Sequence, residues 1–147
     1  MAHFGVQIQF PGNQSGFAQA FARLIAALDS ERLDETTRYG VELVFEEIVS
    51  NIIKYGAAGD REPDVSFLLD VRAAEIVLTF EDDGIPFDSS TYSARPTAKS
   101  LDDVNEGGHG LTLVRGVASS ISYGRAPDKR NVLTIAVRRP LRSRKES

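Results

Sequence analysis

The segment of the sequence that most constrains the fold is residues 34–56, DETTRYGVELVFEEIVSNIIKYG. At about 100° per residue, its apolar side chains fall on one broad arc of an α-helix. These side chains are Val41, Val44, Phe45, Ile48, Val49 and Ile52. Asp34 is suited to cap the first turn, and Gly56 follows the last turn. The pattern therefore predicts a long helix with one face in a hydrophobic core.

The same helix carries two adjacent glutamates and an asparagine. Glu47 and Asn51 are four residues apart and so lie one above the other, with Lys54 next on the same line. Glu46 lies about 140° around the helix from Asn51 and cannot share a site with it. The stripe is either a solvated polar face or part of a functional site, and in a site the geometry selects Glu47 over Glu46.

The rest of the chain alternates strand and helix patterns around one long polar loop. We predict strands at 3–10, 64–71, 75–82, 121–125 and 131–138, helices at 15–28 and 110–120, and a loop at 88–106. Ser15 is a plausible N-cap of the first helix. Strands outnumber helices, and tight turns join most of them. This order predicts an α+β fold, a two-layer sandwich with one mixed, mostly antiparallel sheet and its helices on one face.

Composition places the chain among ordinary globular domains. Its 147 residues are 41% hydrophobic and 26% charged, which suits one domain with a substantial core. The absence of cysteine excludes disulfides and thiolate chemistry. The apolar runs are too short to span a membrane, and the first ten residues lack the pattern of a signal peptide. We therefore expect no membrane association and a cytoplasmic location.

Charge is distributed unevenly along the chain. Residues 138–147 contain five basic residues and one acidic residue, whereas the whole chain has a net charge of −4. We expect a domain at 1–138 and a basic, disordered tail at 139–147. Nucleic-acid binding by the tail stays open as an alternative. The acidic remainder argues against a dedicated nucleic-acid-binding domain, so we expect no direct nucleic-acid contact.

A second polar feature follows the strand predicted at 75–82, in the sequence FEDDGIPFD. Asp82 ends the strand, and Gly84 lets the backbone turn sharply. A carboxylate in this position can accept a hydrogen bond from an amino group of a flat ligand. The face of that ligand would lie on Ile85, Pro86 and Phe87. The alternative is a simple turn between strands.

A third feature is the glycine-rich run NEGGHGLTLVRG at 105–116. Gly107, Gly108 and Gly110 precede or open a predicted helix, where backbone N–H groups and the helix dipole favour an anion such as phosphate. The alternative is a flexible hinge. His109 lies within the run, and a single histidine in such a loop is more often a spacer than a catalyst.

The order of these three motifs resembles the Bergerat-type ATPase fold of the histidine-kinase-like ATPase superfamily. The form DDGIPFD and the short chain are most similar to the anti-sigma-factor serine/threonine kinases of bacteria, and the resemblance covers residues 4–138. It implies binding of ATP or ADP with Mg²⁺. By this resemblance Asn51 holds the metal, Glu47 is the catalytic base, and Asp82 reads the adenine amino group beside Gly84. Thr134 matches a position whose hydroxyl supports the aspartate.

The resemblance also assigns the phosphate side of the site. Residues 88–106 match the ATP lid, and the run of Gly107, Gly108, His109, Gly110 and Leu111 matches the junction that wraps the phosphates. Two positions depart from the commoner pattern. Pro86 stands where many relatives have glycine, and Lys54 stands where many have histidine.

The implied function is phosphorylation of an anti-sigma-factor antagonist in a partner-switching system that regulates transcription. A sigma factor is a second implied partner, and relatives of this kind often form homodimers. Alternatives are a non-catalytic, nucleotide-dependent protein-binding regulator and a histidine-kinase-like domain acting in trans. Glu47 favours the kinase, because a pure binding module has no need of that carboxylate.

Overall fold

The computed structural model describes residues 4–57, 59–88 and 109–140, in which the chain forms five strands and three helices. The strands are β1 (Phe4–Pro11), β2 (Asp64–Val71), β3 (Glu75–Asp82), β4 (Ala118–Arg125) and β5 (Asn131–Arg138). The helices are α1 (Gln14–Asp29), α2 (Glu35–Tyr55) and α3 (His109–Val117). The predicted order of elements is confirmed.

The strands form one sheet in the order β1-β2-β3-β5-β4, and all four pairings between them are antiparallel. Every second side chain of β2 and β3 is buried, and the side chains between them are at least partly exposed. Because side chains alternate across a strand, this pattern places the helices against one face of the sheet. The predicted α+β two-layer fold is confirmed, but the sheet, predicted to be mixed and mostly antiparallel, is antiparallel in all of its described pairings.

The core lies between α2 and the sheet, and Phe45 is at its centre. This side chain is fully buried on α2. Its ring centroid lies 5.0 to 6.3 Å from five other phenylalanine rings. Those rings belong to Phe10, Phe17, Phe21, Phe67 and Phe80, which come from β1, α1, β2 and β3. One residue of α2 thus contacts four other elements.

The cap of α2 is confirmed, but the predicted cap of α1 is wrong. Asp34 accepts the N–H of Thr37 at 3.2 Å, and the Thr37 hydroxyl chiefly holds the pKa of this carboxyl below its usual value. In α1 the cap is Asn13, whose Oδ1 accepts the N–H of Gly16 at 2.7 Å. Ser15 lies inside the first turn instead. The Asn13 side chain also donates to Glu62 at 2.9 Å, a contact between segments that are distant in sequence.

The helix predicted at 110–120 is shorter than expected. It ends at Val117, and β4 begins at Ala118 with no loop between them. Ala118 pairs with Val137 of β5, and the register shifts between Ala118 and Ser120. Pairing with β5 therefore takes these residues out of the helix.

The end of the described chain is fixed to the sheet. The Arg139 N–H donates to the Ala74 carbonyl at 2.9 Å, and its guanidinium donates to the Arg72 carbonyl at 2.9 Å. The described structure therefore includes two residues of the predicted tail, 139 and 140, and residues 141–147 lie outside it. Among the helices described, none is long and apolar enough to cross a membrane.

The cap of α1 gives a direct test of this structure. Asn13→Ala should lower the free energy of unfolding by about 1 kcal/mol, because the first turn loses a side-chain acceptor for its backbone N–H groups. Ser15→Ala is the matched control and should change it by less than about 0.5 kcal/mol. Urea denaturation of both variants measures the difference. A larger loss for Ser15→Ala than for Asn13→Ala would contradict the observed cap.

Candidate functional site

Helix α2 presents Glu47 and Asn51 differently from Glu46. Asn51 is buried, with 7% of its surface exposed. Glu47 is half-buried, whereas Glu46 is exposed on the surface. Burial raises the pKa of Glu47, and the nearby Glu46 charge adds to this effect while Lys54 opposes it. In the polar stripe predicted from the sequence, the Glu47 and Asn51 side chains are therefore at least partly removed from solvent.

Asp82 ends β3 as a buried carboxylate that is 4% exposed. Its Oδ1 accepts the backbone N–H of Gly84 at 2.9 Å and an amide N–H of Asn131 at 2.9 Å. Burial raises the pKa of Asp82, and the hydrogen bonds from Asn131 and Gly84 oppose that rise. Both of these bonds use the same carboxylate oxygen.

The neighbouring acid, Asp83, has a different environment. Its carboxylate pairs with the Arg61 guanidinium and accepts the Asp64 N–H at 2.7 Å. Burial acts to raise the pKa of Asp83, but the Asp64 N–H and Arg61 together hold it below its usual value. Of these two adjacent acids, Asp83 therefore forms a surface ion pair and Asp82 is buried.

The turn after β3 packs on the end of α2. The Ile85 N–H donates to the Gly56 carbonyl at 3.1 Å. A Cβ atom on Gly84 would lie only 2.3 Å from that carbonyl oxygen, so only glycine fits without a shift of the backbone. The Tyr55 and Phe87 rings also meet, with centroids 5.7 Å apart. These contacts bring the Asp82 turn to the helix that carries Glu47 and Asn51.

Asn131, the first residue of β5, is a functional candidate that the sequence analysis missed. It is buried, with 3% of its surface exposed. Its amide nitrogen donates to Asp82 and to the Ile85 carbonyl, at 2.9 and 2.8 Å. Its amide oxygen accepts from the Phe87 N–H at 3.3 Å, the Tyr123 hydroxyl at 2.5 Å and the Arg125 guanidinium at 3.0 Å.

Thr134, the residue matched to support of Asp82, does not lie beside it. Thr134 is opposite Thr79 in the β3–β5 pairing, whereas Asp82 is opposite Asn131. Thr134 is three residues from Asn131, the residue opposite Asp82. Because side chains alternate along a strand, the Thr134 and Asp82 side chains point to opposite faces of the sheet. The sequence did contain a signal for this role of Asn131. Asn131 is at the start of the last strand, and in an antiparallel pair the start of one strand lies beside the end of the other.

The glycine-rich run lies at the edge of the described structure. Helix α3 begins at His109, so that His109, Gly110 and Leu111 form its first turn. Gly107, Gly108 and the predicted lid from residue 89 onward lie outside the described residues. Pro86 is exposed in the turn that follows Asp82.

The other end of α3 rests on α2. A Cβ atom on Gly40 would lie 3.4 Å from the Val117 side chain, so α3 approaches α2 closely at this point. The first predicted motif therefore lies on α2, and the described parts of the other two lie on elements that contact this helix. Within the described ranges, no group of three or more His, Cys, Asp or Glu side chains could hold a metal ion.

Comparison with known proteins identifies the family. Residues 10–137 match the model of the histidine kinase-like ATPase domain, and the chain belongs to this family. The chain is also similar to the serine/threonine-protein kinase BtrW of Bordetella bronchiseptica, with 30% identity over 105 residues. That alignment covers 71% of this chain and 73% of the relative. The match to an ATPase domain implies that the chain binds a nucleotide.

The packing of Gly84 on Gly56 is open to a direct test. Gly84→Ala should lower the free energy of unfolding by about 1–3 kcal/mol, because the added methyl group collides with a backbone carbonyl. Gly116→Ala is the control, since a Cβ atom there meets nothing within 4 Å. That variant should be neutral or slightly stabilising, because alanine favours a helix. Equal stability of the two variants in urea denaturation would contradict the observed contact.

Proposed function

We propose that this protein is an ATP-dependent protein serine/threonine kinase that phosphorylates an anti-sigma-factor antagonist. The observation that carries the proposal is the half-buried Glu47, which lies one helical turn before the buried Asn51 in a chain of the ATPase family. A site for nucleotide binding alone has no use for a partly desolvated carboxylate at this position. The name of BtrW, a serine/threonine-protein kinase, supports the same reaction class.

Asp82 would recognise the base. Its carboxylate is buried at the end of β3 and is held through Oδ1, so that the group can accept a hydrogen bond from the adenine amino group. Gly84 would keep this turn close against α2, because a Cβ atom there would collide with the Gly56 carbonyl oxygen. Ile85 and Pro86 are exposed next to Asp82 and would contact the flat face of the base.

Asn51 would hold Mg²⁺ through its amide oxygen. A neutral oxygen ligand suits this hard cation, which retains water and takes further ligands from phosphate. The buried position of Asn51 on α2 fixes its direction and so fits this role. When bound, Mg²⁺ neutralises charge on the phosphates. Gly107, Gly108 and the first turn of α3 would offer backbone N–H groups to the same phosphates.

Glu47 would act as the general base toward a serine or threonine hydroxyl. Burial raises the pKa of Glu47, and a carboxylate with a raised pKa is a better proton acceptor than one with an ordinary pKa. The hydroxyl oxygen forms a bond to the γ-phosphorus while the bond from that phosphorus to ADP breaks. The hydroxyl proton passes to Glu47. The products are ADP and a phosphorylated protein.

The partners follow from the same proposal. The acceptor would be an anti-sigma-factor antagonist in the cytoplasm, and a sigma factor would be released or captured according to the phosphorylation state of that antagonist. The protein would also form a homodimer. These partner assignments rest on the similarity to the anti-sigma-factor kinases.

Nucleotide titration is the first test. Calorimetric titration of the protein with ATP should show binding that Mg²⁺ strengthens. Asp82→Asn should weaken it by about tenfold or more, because a hydrogen bond to a charged group is lost. Asn51→Ala should remove the dependence on Mg²⁺. Binding that is unaffected in both variants would refute the assignment of the site.

Phosphoryl transfer tests the role of Glu47. Glu47→Gln should lower transfer from labelled ATP to an anti-sigma-factor antagonist by about 10²–10⁴-fold, because the proton acceptor is lost, while ATP affinity changes little. Glu46→Gln is the matched control on the adjacent, exposed residue and should stay active. Wild-type activity should fall as the pH falls through the raised pKa of Glu47, because only the ionised form accepts a proton.

Two results would go against this mechanism. A fully active Glu47→Gln variant would exclude Glu47 as the base. ATP binding without transfer to any antagonist, in the wild-type protein, would instead favour the non-catalytic, nucleotide-dependent regulator.

A further inference from the structure

The side-chain amide of Asn131 has only one orientation that satisfies its neighbours. Its oxygen faces three donors, the Phe87 N–H, the Tyr123 hydroxyl and the Arg125 guanidinium. Its nitrogen faces two acceptors, Asp82 and the Ile85 carbonyl. A flipped amide would direct its N–H groups at the Phe87 N–H and the guanidinium, which cannot accept. The network therefore fixes an N–H donor against Asp82.

Burial raises the pKa of Asp82, and this donor opposes that rise. Oδ1 of Asp82 receives N–H bonds from both Asn131 and Gly84. Hydrogen bonds donated to a carboxylate favour its ionised form. An ionised carboxylate accepts hydrogen bonds and cannot donate one, which leaves the second oxygen as an acceptor only.

Discrimination between adenine and guanine depends on whether this oxygen only accepts a hydrogen bond or can also donate one. Adenine carries an amino group, a donor, at the position where guanine carries a carbonyl oxygen, an acceptor. An ionised Asp82 attracts the adenine amino group and repels the guanine oxygen. A protonated carboxyl group could donate to the guanine oxygen, and the preference would then weaken.

We propose that Asn131 is the positioning residue that makes this site selective for adenine over guanine nucleotides. The inference rests on the proposed nucleotide site at Asp82 and extends it to a residue that acts through the carboxylate. The same amide bonds Ile85 and Phe87, so it also fixes the segment that would lie along the base.

Other charged groups near Asp82 come from several elements. Asp83 follows it on the chain and tends to raise its pKa, whereas Arg130, in the turn before β5, tends to lower it. Arg125 reaches Asn131 from β4, and Arg61 is paired with Asp83. Among these groups, Asn131 is the side chain that hydrogen-bonds Asp82. Substitution of Asn131 therefore changes the environment of Asp82 most directly.

The experiment measures the ratio of affinities for ATP and GTP by displacement of a fluorescent ADP analogue from the full chain. Asn131→Asp replaces the N–H donor with a second carboxyl group of the same shape. The two acids then share a proton, which raises the pKa of the pair. We expect the preference for ATP to fall by about tenfold or more, and to fall further as the pH is lowered. The wild-type preference should change less over the same range, because Asn131 has no proton to share with Asp82.

Asn131→Thr and Asn131→Val form a second, matched pair of equal shape. Both lose the contacts of the amide oxygen, but only threonine keeps a donor that can reach across the strand pair to Asp82. We expect threonine to retain more of the ATP preference than valine, by about tenfold. Comparison of these two variants tests the role of Asn131 even if the Asn131→Asp protein folds poorly.

The ratio separates this role from a purely structural one. Loss of folded protein lowers the apparent affinity for ATP and GTP equally and leaves their ratio unchanged. An unchanged ratio in Asn131→Asp, or equal ratios in the threonine and valine variants, would overturn the inference while leaving the nucleotide site intact. A wild-type protein that binds neither nucleotide would overturn the proposed function and this inference together.

Discussion

The packing of Phe45 between α2 and the sheet is the interaction on which the rest of the structure depends. Its fully buried ring contacts phenylalanines from four other elements, so it fixes both the position and the rotation of α2. Residues of a helix keep a constant angular relation to one another. When Phe45 is packed in the core, Glu47 and Asn51 lie on one side of α2 and Glu46 lies on the exposed surface. A hydrophobic contact thus orients the polar residues.

The second half of the site is joined to α2 by its backbone. The Gly56 carbonyl, at the end of the helix, accepts the Ile85 N–H, so a group that a helix end leaves unsatisfied becomes the attachment point for the turn after β3. Asp82 and Asn131 are then hydrogen-bonded to each other and to backbone groups of the turn after β3. Among the described residues, no buried side-chain nitrogen or oxygen lacks a partner.

This arrangement has a cost in stability. Burial raises the pKa of both Glu47 and Asp82, so the folded state binds their protons more tightly than the unfolded state does. Above the folded pKa values, the charged forms therefore lower the free energy of unfolding. The penalty disappears as the pH falls below the unfolded values. Such a penalty is expected where a site needs carboxylates in a partly desolvated position.

The sequence by itself determined the elements, their order, the core face of α2 and the position of Glu47, rather than Glu46, on the side of Asn51. Each of these depends on spacing within one segment, which the regular geometry of helices and strands converts into direction. Only the tertiary structure decided that Asn13 rather than Ser15 caps α1, that α3 ends at Val117, and that Asn131 rather than Thr134 holds Asp82. The physical reason is that these outcomes depend on contacts between segments far apart in the chain. A shift of one residue in strand register moves a side chain to the other face of the sheet, and the register that places Asn131 opposite Asp82 joins positions 49 residues apart in the chain.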